Sequence, residues 1–193
     1  MYIPRVVIEQ IWSLPTPLIV GISGVGGAGK SSFAAALGKR IDAPVVGVDS
    51  FLKNRMAQDY SNWDIIDFAR LESDVLVPFL AGNATIKYGH FDWSANAMGE
   101  IQEIAHDGLL IVEGVGLFRP DLNRYLGYKI WVDCPIEEAI LRGKKRDREE
   151  YKNPQDESWD GIWKRNDAEY LDAFKPQQAA DWIFDNAAVS DRP

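Results

Sequence analysis

With 193 residues, the chain is long enough for one well-buried core and short for two. Hydrophobic residues at 46% and charged residues at 26% are ordinary for a globular protein, and a net charge of −8 argues against a general nucleic-acid-binding surface. A single cysteine, Cys134, and two histidines, His90 and His106, exclude an internal disulfide, a cysteine-based zinc site and a histidine-rich metal centre.

The N-terminal arm, punctuated by Pro15 and Pro17, leads into LIVGI at 18–22, an apolar run suited to a buried strand and too short to span a membrane. No stretch resembles a signal peptide, so the expected compartment is the cytoplasm, with no membrane partner. Next comes Gly24-Val25-Gly26-Gly27-Ala28-Gly29-Lys30-Ser31, a full match to G-x-x-x-x-G-K-[ST], followed by an Ala-rich stretch that predicts a helix over 30–41. A strand at 44–48 ends at Asp49. A helix is expected over 69–80, and strands over 109–112 and 129–132 end at Glu113 and Asp133. A basic helix over 136–150, a Trp-rich helix over 158–174 and a last strand at 182–184 complete the order. Strands alternating with helices predict an α/β fold with a mainly parallel sheet covered on both faces. Ligands of such sheets sit beyond the carboxyl ends of the strands, where Ser23, Asp49, Glu113 and Asp133 fall.

The glycine-rich turn between strand and helix suits a phosphate. Its glycines let backbone N–H groups converge, and the helix that follows contributes its positive end. The nucleotide-binding set is then Gly24, Gly26, Gly27, Ala28, Gly29, Lys30, Ser31 and Ser32, with Lys30 reaching the β- and γ-phosphates and the Ser31 hydroxyl on Mg²⁺. Of Asp49 and Glu113, one carboxylate can accept the proton of an acceptor hydroxyl and the other can hold the magnesium shell. Arg142 and Arg146, four apart, share a helix face and could clamp a transferring phosphoryl group. Arg146 is the preferred candidate, while Lys144 and Lys145 read as solvated charges. His90 and His106 read as structural or surface residues, and Trp159 and Trp163 as core-facing anchors.

No N-K-x-D guanine-reading motif is present, which speaks against a GTPase. The motifs GISGVGGAGKSSFAAAL, VVGVDSF, NWDIIDF, KYGHFDW, IVEGVGLF and WVDCPIEEAILRGKKRD, in this order, resemble the uridine kinase and phosphoribulokinase group of P-loop kinases. KPQQAADWIFDN is similar to that group's final strand region, so the likeness runs over nearly the whole chain. The resemblance implies a three-layer P-loop nucleoside-triphosphate hydrolase-type fold, one domain over 1–193 with a helical lid near 142–160. It also implies transfer of the γ-phosphoryl group of ATP, with Mg²⁺, to a hydroxyl of a small molecule, a nucleoside first of all. On the same basis Asp49 is the general base and magnesium neighbour, Glu113 completes the metal site with Ser31, Asp64 holds sugar hydroxyls, Tyr88 matches an acceptor-site tyrosine, and Arg146 is the lid arginine.

The sequence departs from the group after Tyr88, where Phe91, Asp92 and Trp93 are candidates to line a different acceptor pocket. A second departure follows the R-D pair, where EEYKNPQDESW replaces an arginine-rich cluster. Alternatives are a kinase of pantothenate, glycerate or a sugar, and a nucleotide-binding regulatory protein without catalysis. A homo-oligomer is compatible with either.

Overall fold

The computed structural model describes residues 2–57 and 59–187. Five parallel strands form the central sheet: β1 Leu18–Ser23, β2 Val45–Gly47, β5 Leu109–Glu113, β6 Tyr128–Asp133 and β7 Trp182–Asp185. They lie side by side in the order β2-β5-β1-β6-β7. All six residues of β1 are buried, as a strand covered on both faces requires. Helix α2, Lys30–Ile41, buries Phe33, Ala34, Leu37 and Ile41 along one stripe and stops where Asp42 turns left-handed. Among the described residues, no helix is long and apolar enough to cross a membrane.

Every predicted strand is present, each shifted by at most one residue at either end. The predicted helix over 69–80 is more broken: α3 Phe68–Leu71 and α4 Val77–Leu80 flank a π-helical stretch, Glu72–Leu76. Likewise α6 Asp156–Ser158 passes through a π-helical Trp159–Trp163 into α7 Lys164–Phe174. The basic helix is α5, Ile136–Glu149.

Two elements lie outside the sequence expectation. The N-terminal arm contains helix α1, Arg5–Trp12, which buries Val7, Ile8 and Ile11 and takes a hydrogen bond from the Tyr128 hydroxyl to Gln10 Oε1 at 2.7 Å. An antiparallel hairpin, β3 Thr85–Asp92 and β4 Ala97–Ala105, forms a separate two-stranded sheet. Its inward face carries Ile86, Tyr88 and Phe91.

Register explains why the polar strand ends converge. Ile22 and Gly47 are both level with Glu113, and Ser23 is level with Trp131. The turns that follow β1, β2 and β5 therefore open on one edge of the sheet.

Candidate active site

The glycine-rich turn sits on that edge, pressed against α5. Gly27 has φ +79°, and a Cβ there would lie 2.1 Å from the Ala139 carbonyl oxygen; Gly29 has φ +96°. Neither position accepts a side chain without rebuilding the loop. Lys30, only 7% exposed, donates from Nζ to the Val25 carbonyl at 2.8 Å. Burial pushes its ammonium below the ordinary value, opposed by the charges of Glu113, Asp167 and Asp49.

Asp49 lies in the 3₁₀ turn Val48–Phe51 that follows β2. Behind it, Arg70 donates to the Gly89 and Ser50 carbonyls at 2.8 and 2.9 Å and lies 4.5 Å over the Phe51 ring. His90 Nδ1 and Ser50 Oγ are 2.9 Å apart, so His90 is structural as expected. Burial raises the Asp49 carboxyl above its usual range, opposed by Lys30 and Arg146. Glu113, at the end of β5, is raised by burial too, opposed first by Lys30 and also by a hydrogen bond from Ser31. An ammonium and two carboxylates thus share a poorly solvated space, where electrostatic interactions are strong.

These groups open into a cavity of about 1110 Å³. Gly26, Gly27, Gly29, Lys30, Ser31, Ser32, Asp49, Glu113, Arg146 and Trp93 all line it. Gly24 and Ala28 lie beneath it: a Cβ on Gly24 would meet the Val132 carbonyl oxygen at 2.6 Å, and the Ala28 carbonyl accepts from Asn186 Nδ2 at 2.7 Å.

Two expected acceptor residues do not join the lining. Asp64 instead faces Arg119, whose Nη1 donates to Oδ1 at 2.9 Å, because the preceding Asn62 and Trp63 are both left-handed and turn the chain outward. Tyr88 stacks on Phe51 with ring centroids 5.4 Å apart and braces the Asp49 turn from behind. Tyr60, Trp63, Ile65 and Ile66 supply an aromatic and aliphatic wall in their place, and Arg55 and Met56 also line the cavity. Trp93, packed edge-on against Phe91, reaches it from the hairpin tip.

Arg146 lines the cavity with Arg142. Its guanidinium donates to Asp147 Oδ1 at 3.1 Å from Nη2 and lies 4.9 Å over Tyr151. Arg142 pairs with Glu138 one turn back. Lys145 is exposed as expected, but Lys144 is not a solvated charge: its side chain is 16% exposed and pairs with Asp160. The bond ties α5 to the following Trp-rich segment, a partner that helix periodicity alone cannot reveal. Trp159 is buried, as an anchor should be, yet its ring also lines the cavity. Its Nε1 donates to Asp147 Oδ2 at 2.7 Å. Sequence reasoning passed over Asp167, whose carboxylate touches the glycine-rich loop. The available signal was a polar pair, Asn166 and Asp167, within the helical stripe Trp159, Trp163 and Tyr170.

Among the described residues, no group of three or more His, Cys, Asp or Glu side chains forms a metal cage. The donor set is instead one hydroxyl, Ser31, with two carboxylates, Glu113 and Asp49. That set suits a Mg²⁺ that keeps water and phosphate oxygens as most of its ligands.

No protein-family model matches the chain. It is 29% identical over 147 residues to a uridine kinase of Alkaliphilus metalliredigens (strain QYMF), covering 69% of this chain and 70% of the relative. It is 27% identical over 149 residues to a uridine kinase of Aliivibrio salmonicida (strain LFI1238), covering 69% of each. The structure of a possible uridine kinase from Bacillus stearothermophilus superposes with a TM-score of 0.69 over 94% of this chain and 96% of that one, at 18% identity. A Silicibacter sp. TM1040 structure, provisionally named a fructose transport system kinase, gives 0.70 at 20% identity, over 93% and 96% of the two chains. The chain has the fold of the uridine-kinase-like P-loop kinases.

Proposed function

We propose that this chain is an ATP- and magnesium-dependent kinase that transfers the γ-phosphoryl group to a hydroxyl of a small, ring-bearing acceptor, with a nucleoside of the uridine type as the first candidate. The observation that carries the reading is the single cavity that holds Lys30, Ser31, Asp49, Glu113 and Arg146 together with an aromatic wall. Lys30 and the loop amides bind the β- and γ-phosphates, and Ser31 with Glu113 holds the metal beside Asp49. Magnesium, when bound, neutralises charge on the phosphate oxygens. Asp49 takes the acceptor proton, a task that its burial favours because a raised carboxyl is a better base near neutrality. Arg146 stabilises charge on the moving group, and the 142–160 region acts as its lid. Tyr60, Trp63 and Trp93 offer ring faces to a planar acceptor.

A second reading is favoured by the position of Asp64, which pairs with Arg119 outside the cavity, leaving Arg55 among the charged groups of the lining. That exchange suits a non-nucleoside acceptor such as pantothenate, glycerate or a sugar. An ADP-release screen over nucleosides, sugars and small alcohols with Mg-ATP separates the two. No ADP release from any acceptor, together with a Mg-ATP melting shift unchanged in Lys30→Ala, would refute the kinase reading.

A further inference from the structure

Helix α7 carries two adjacent polar side chains that are almost sealed from solvent, Asn166 at 0% and Asp167 at 1% exposed. Burying a carboxylate is costly unless its oxygens are satisfied. Asp167 divides its two oxygens between different parts of the cavity. Oδ2 accepts the Gly26 backbone N–H of the glycine-rich loop at 2.9 Å. Oδ1 accepts the indole Nε1–H of Trp63, part of the acceptor wall, also at 2.9 Å. The approach to the loop is close enough that a Cβ on Gly26 would lie 3.3 Å from Oδ2.

Asn166 holds the main chain of the same wall. Its Oδ1 accepts the Trp63 N–H at 2.9 Å, and its Nδ2 donates to the Tyr60 and Ile162 carbonyls at 3.2 and 2.9 Å. This stitching has a reason. Asn62 and Trp63 have φ of +50° and +61°, a left-handed conformation that asparagine tolerates and a bulky residue such as tryptophan rarely adopts. The bonds from α7 add to the segment's own turn bonds, from the Asp64 and Ile66 N–H groups to the Ser61 and Trp63 carbonyls, in holding that shape. Packing alone would be served by apolar side chains without the desolvation of a charge. A carboxylate of this length, by contrast, can accept the two N–H groups at once.

We propose that Asp167 is a positioning residue that couples the acceptor wall to the phosphate loop, so that occupation of the loop orders residues 60–66 for the acceptor. The coupling rests on the kinase reading above, and its test separates the two. Hydrogen exchange of the full chain is measured with and without the non-hydrolysable probe Mg-AMP-PNP. In the wild type, the probe should slow exchange both in 24–31 and in 60–66. Asp167→Asn keeps one acceptor oxygen and turns an NH₂ toward the other donor. It should retain protection in 24–31 and lose most of it in 60–66. Trp63→Phe, which removes the indole N–H together with part of the ring, should do the same and carries the test if the first variant does not fold.

With uridine and Mg-ATP, Asp167→Asn should lower kcat/KM for the acceptor about tenfold or more, with the KM for ATP changed less than about threefold. Equal protection of 60–66 in wild type and both variants overturns the coupling. So does a wild type that protects 24–31 alone. If the probe protects neither segment, the nucleotide reading fails instead. The link is then judged without ligand: Asp167→Asn should speed exchange in both segments, and unchanged exchange there overturns it.

Discussion

Gly143→Ala sets two effects of opposite sign against each other. Gly143 lies inside α5, where replacing glycine by alanine ordinarily stabilises a helix by about 1 kcal/mol. Here the new Cβ would stand 2.3, 2.4 and 2.7 Å from three ring atoms of Trp159. Restoring ordinary contact at 3.4 Å means moving the indole by about 1 Å. The ring has little freedom to yield, since its Nε1 donates to Asp147 and its edge packs against Trp163 with centroids 4.8 Å apart. Overpacking of this kind costs typically about 1–3 kcal/mol, and weakening a hydrogen bond to a buried carboxylate adds roughly 1.5–3 kcal/mol. The clash wins, with a net loss of roughly 1.5–5 kcal/mol after the propensity gain. For a chain of this size that is a fall in Tm of roughly 3–20 °C. Turnover should fall as well, because the displaced ring lines the cavity beside Arg146. Differential scanning fluorimetry on Gly143→Ala beside Gly161→Ala measures this, since a Cβ on Gly161 meets nothing within 4 Å. A Gly143→Ala protein as stable as the control, or more so, would refute the reasoning.

Asp49→Asn should lower turnover by ~10²–10⁴-fold while the Mg-ATP melting shift persists, because the amide keeps the shape and loses the base; full activity would remove Asp49 from that role. Arg146→Lys should be impaired in kcat without loss of Tm, since an ammonium does not reproduce the planar fork of a guanidinium. The matched control is the exposed Lys145→Ala rather than Lys144→Ala, because Lys144 is largely buried and ion-paired to Asp160; equal small effects in the pair would remove Arg146 from that role. Burial raises the Asp167 carboxyl from 3.8 to about 6, so its neutral form favours the folded state. That contribution is complete below about pH 4 and is lost as pH rises through about 6, with an upper bound of about 3 kcal/mol. Urea midpoints from pH 4 to 7 should therefore shift in favour of Asp167→Asn over the wild type as pH rises, and a constant difference would contradict the buried charge.

The phosphate side of the site was legible because its signals are local. LIVGI, the glycine spacing and KSSFAAAL lie consecutively, and α2 runs over the predicted residues, 30–41. Asp49 and Glu113 follow apolar runs, so strand order alone brings them to one edge. The acceptor side was harder to read because it depends on backbone conformation and on contacts far apart in sequence. The N-W-D stretch was found, but two consecutive left-handed residues send Asp64 to Arg119 and turn Trp63 inward. Asp167 lies 141 residues from the Gly26 amide it holds. The hairpin was readable in principle, since Ile86, Tyr88 and Phe91 mark its inward face. Gly89 and the irregular register between Gly89 and Phe91 break the alternation. Helix α1 was obscured by Pro15 and Pro17, although Val7, Ile8 and Ile11 have helical spacing.

The separation of the hairpin from the main sheet has a consequence for how the molecule can change. Its root, through Tyr88 and His90, rests on the turn that carries Asp49, whereas its tip extends to Trp93 and is tethered to the 54–55 turn by Asn96. The strand ladder of the tip pairs with no strand of the five-stranded sheet. Residues 92–97 can therefore vary in length and composition while the phosphate-handling groups stay where β1, β2 and β5 place them. Under the kinase reading proposed above, acceptor choice and phosphoryl chemistry are carried by different backbones, so one can diversify while the other is held fixed.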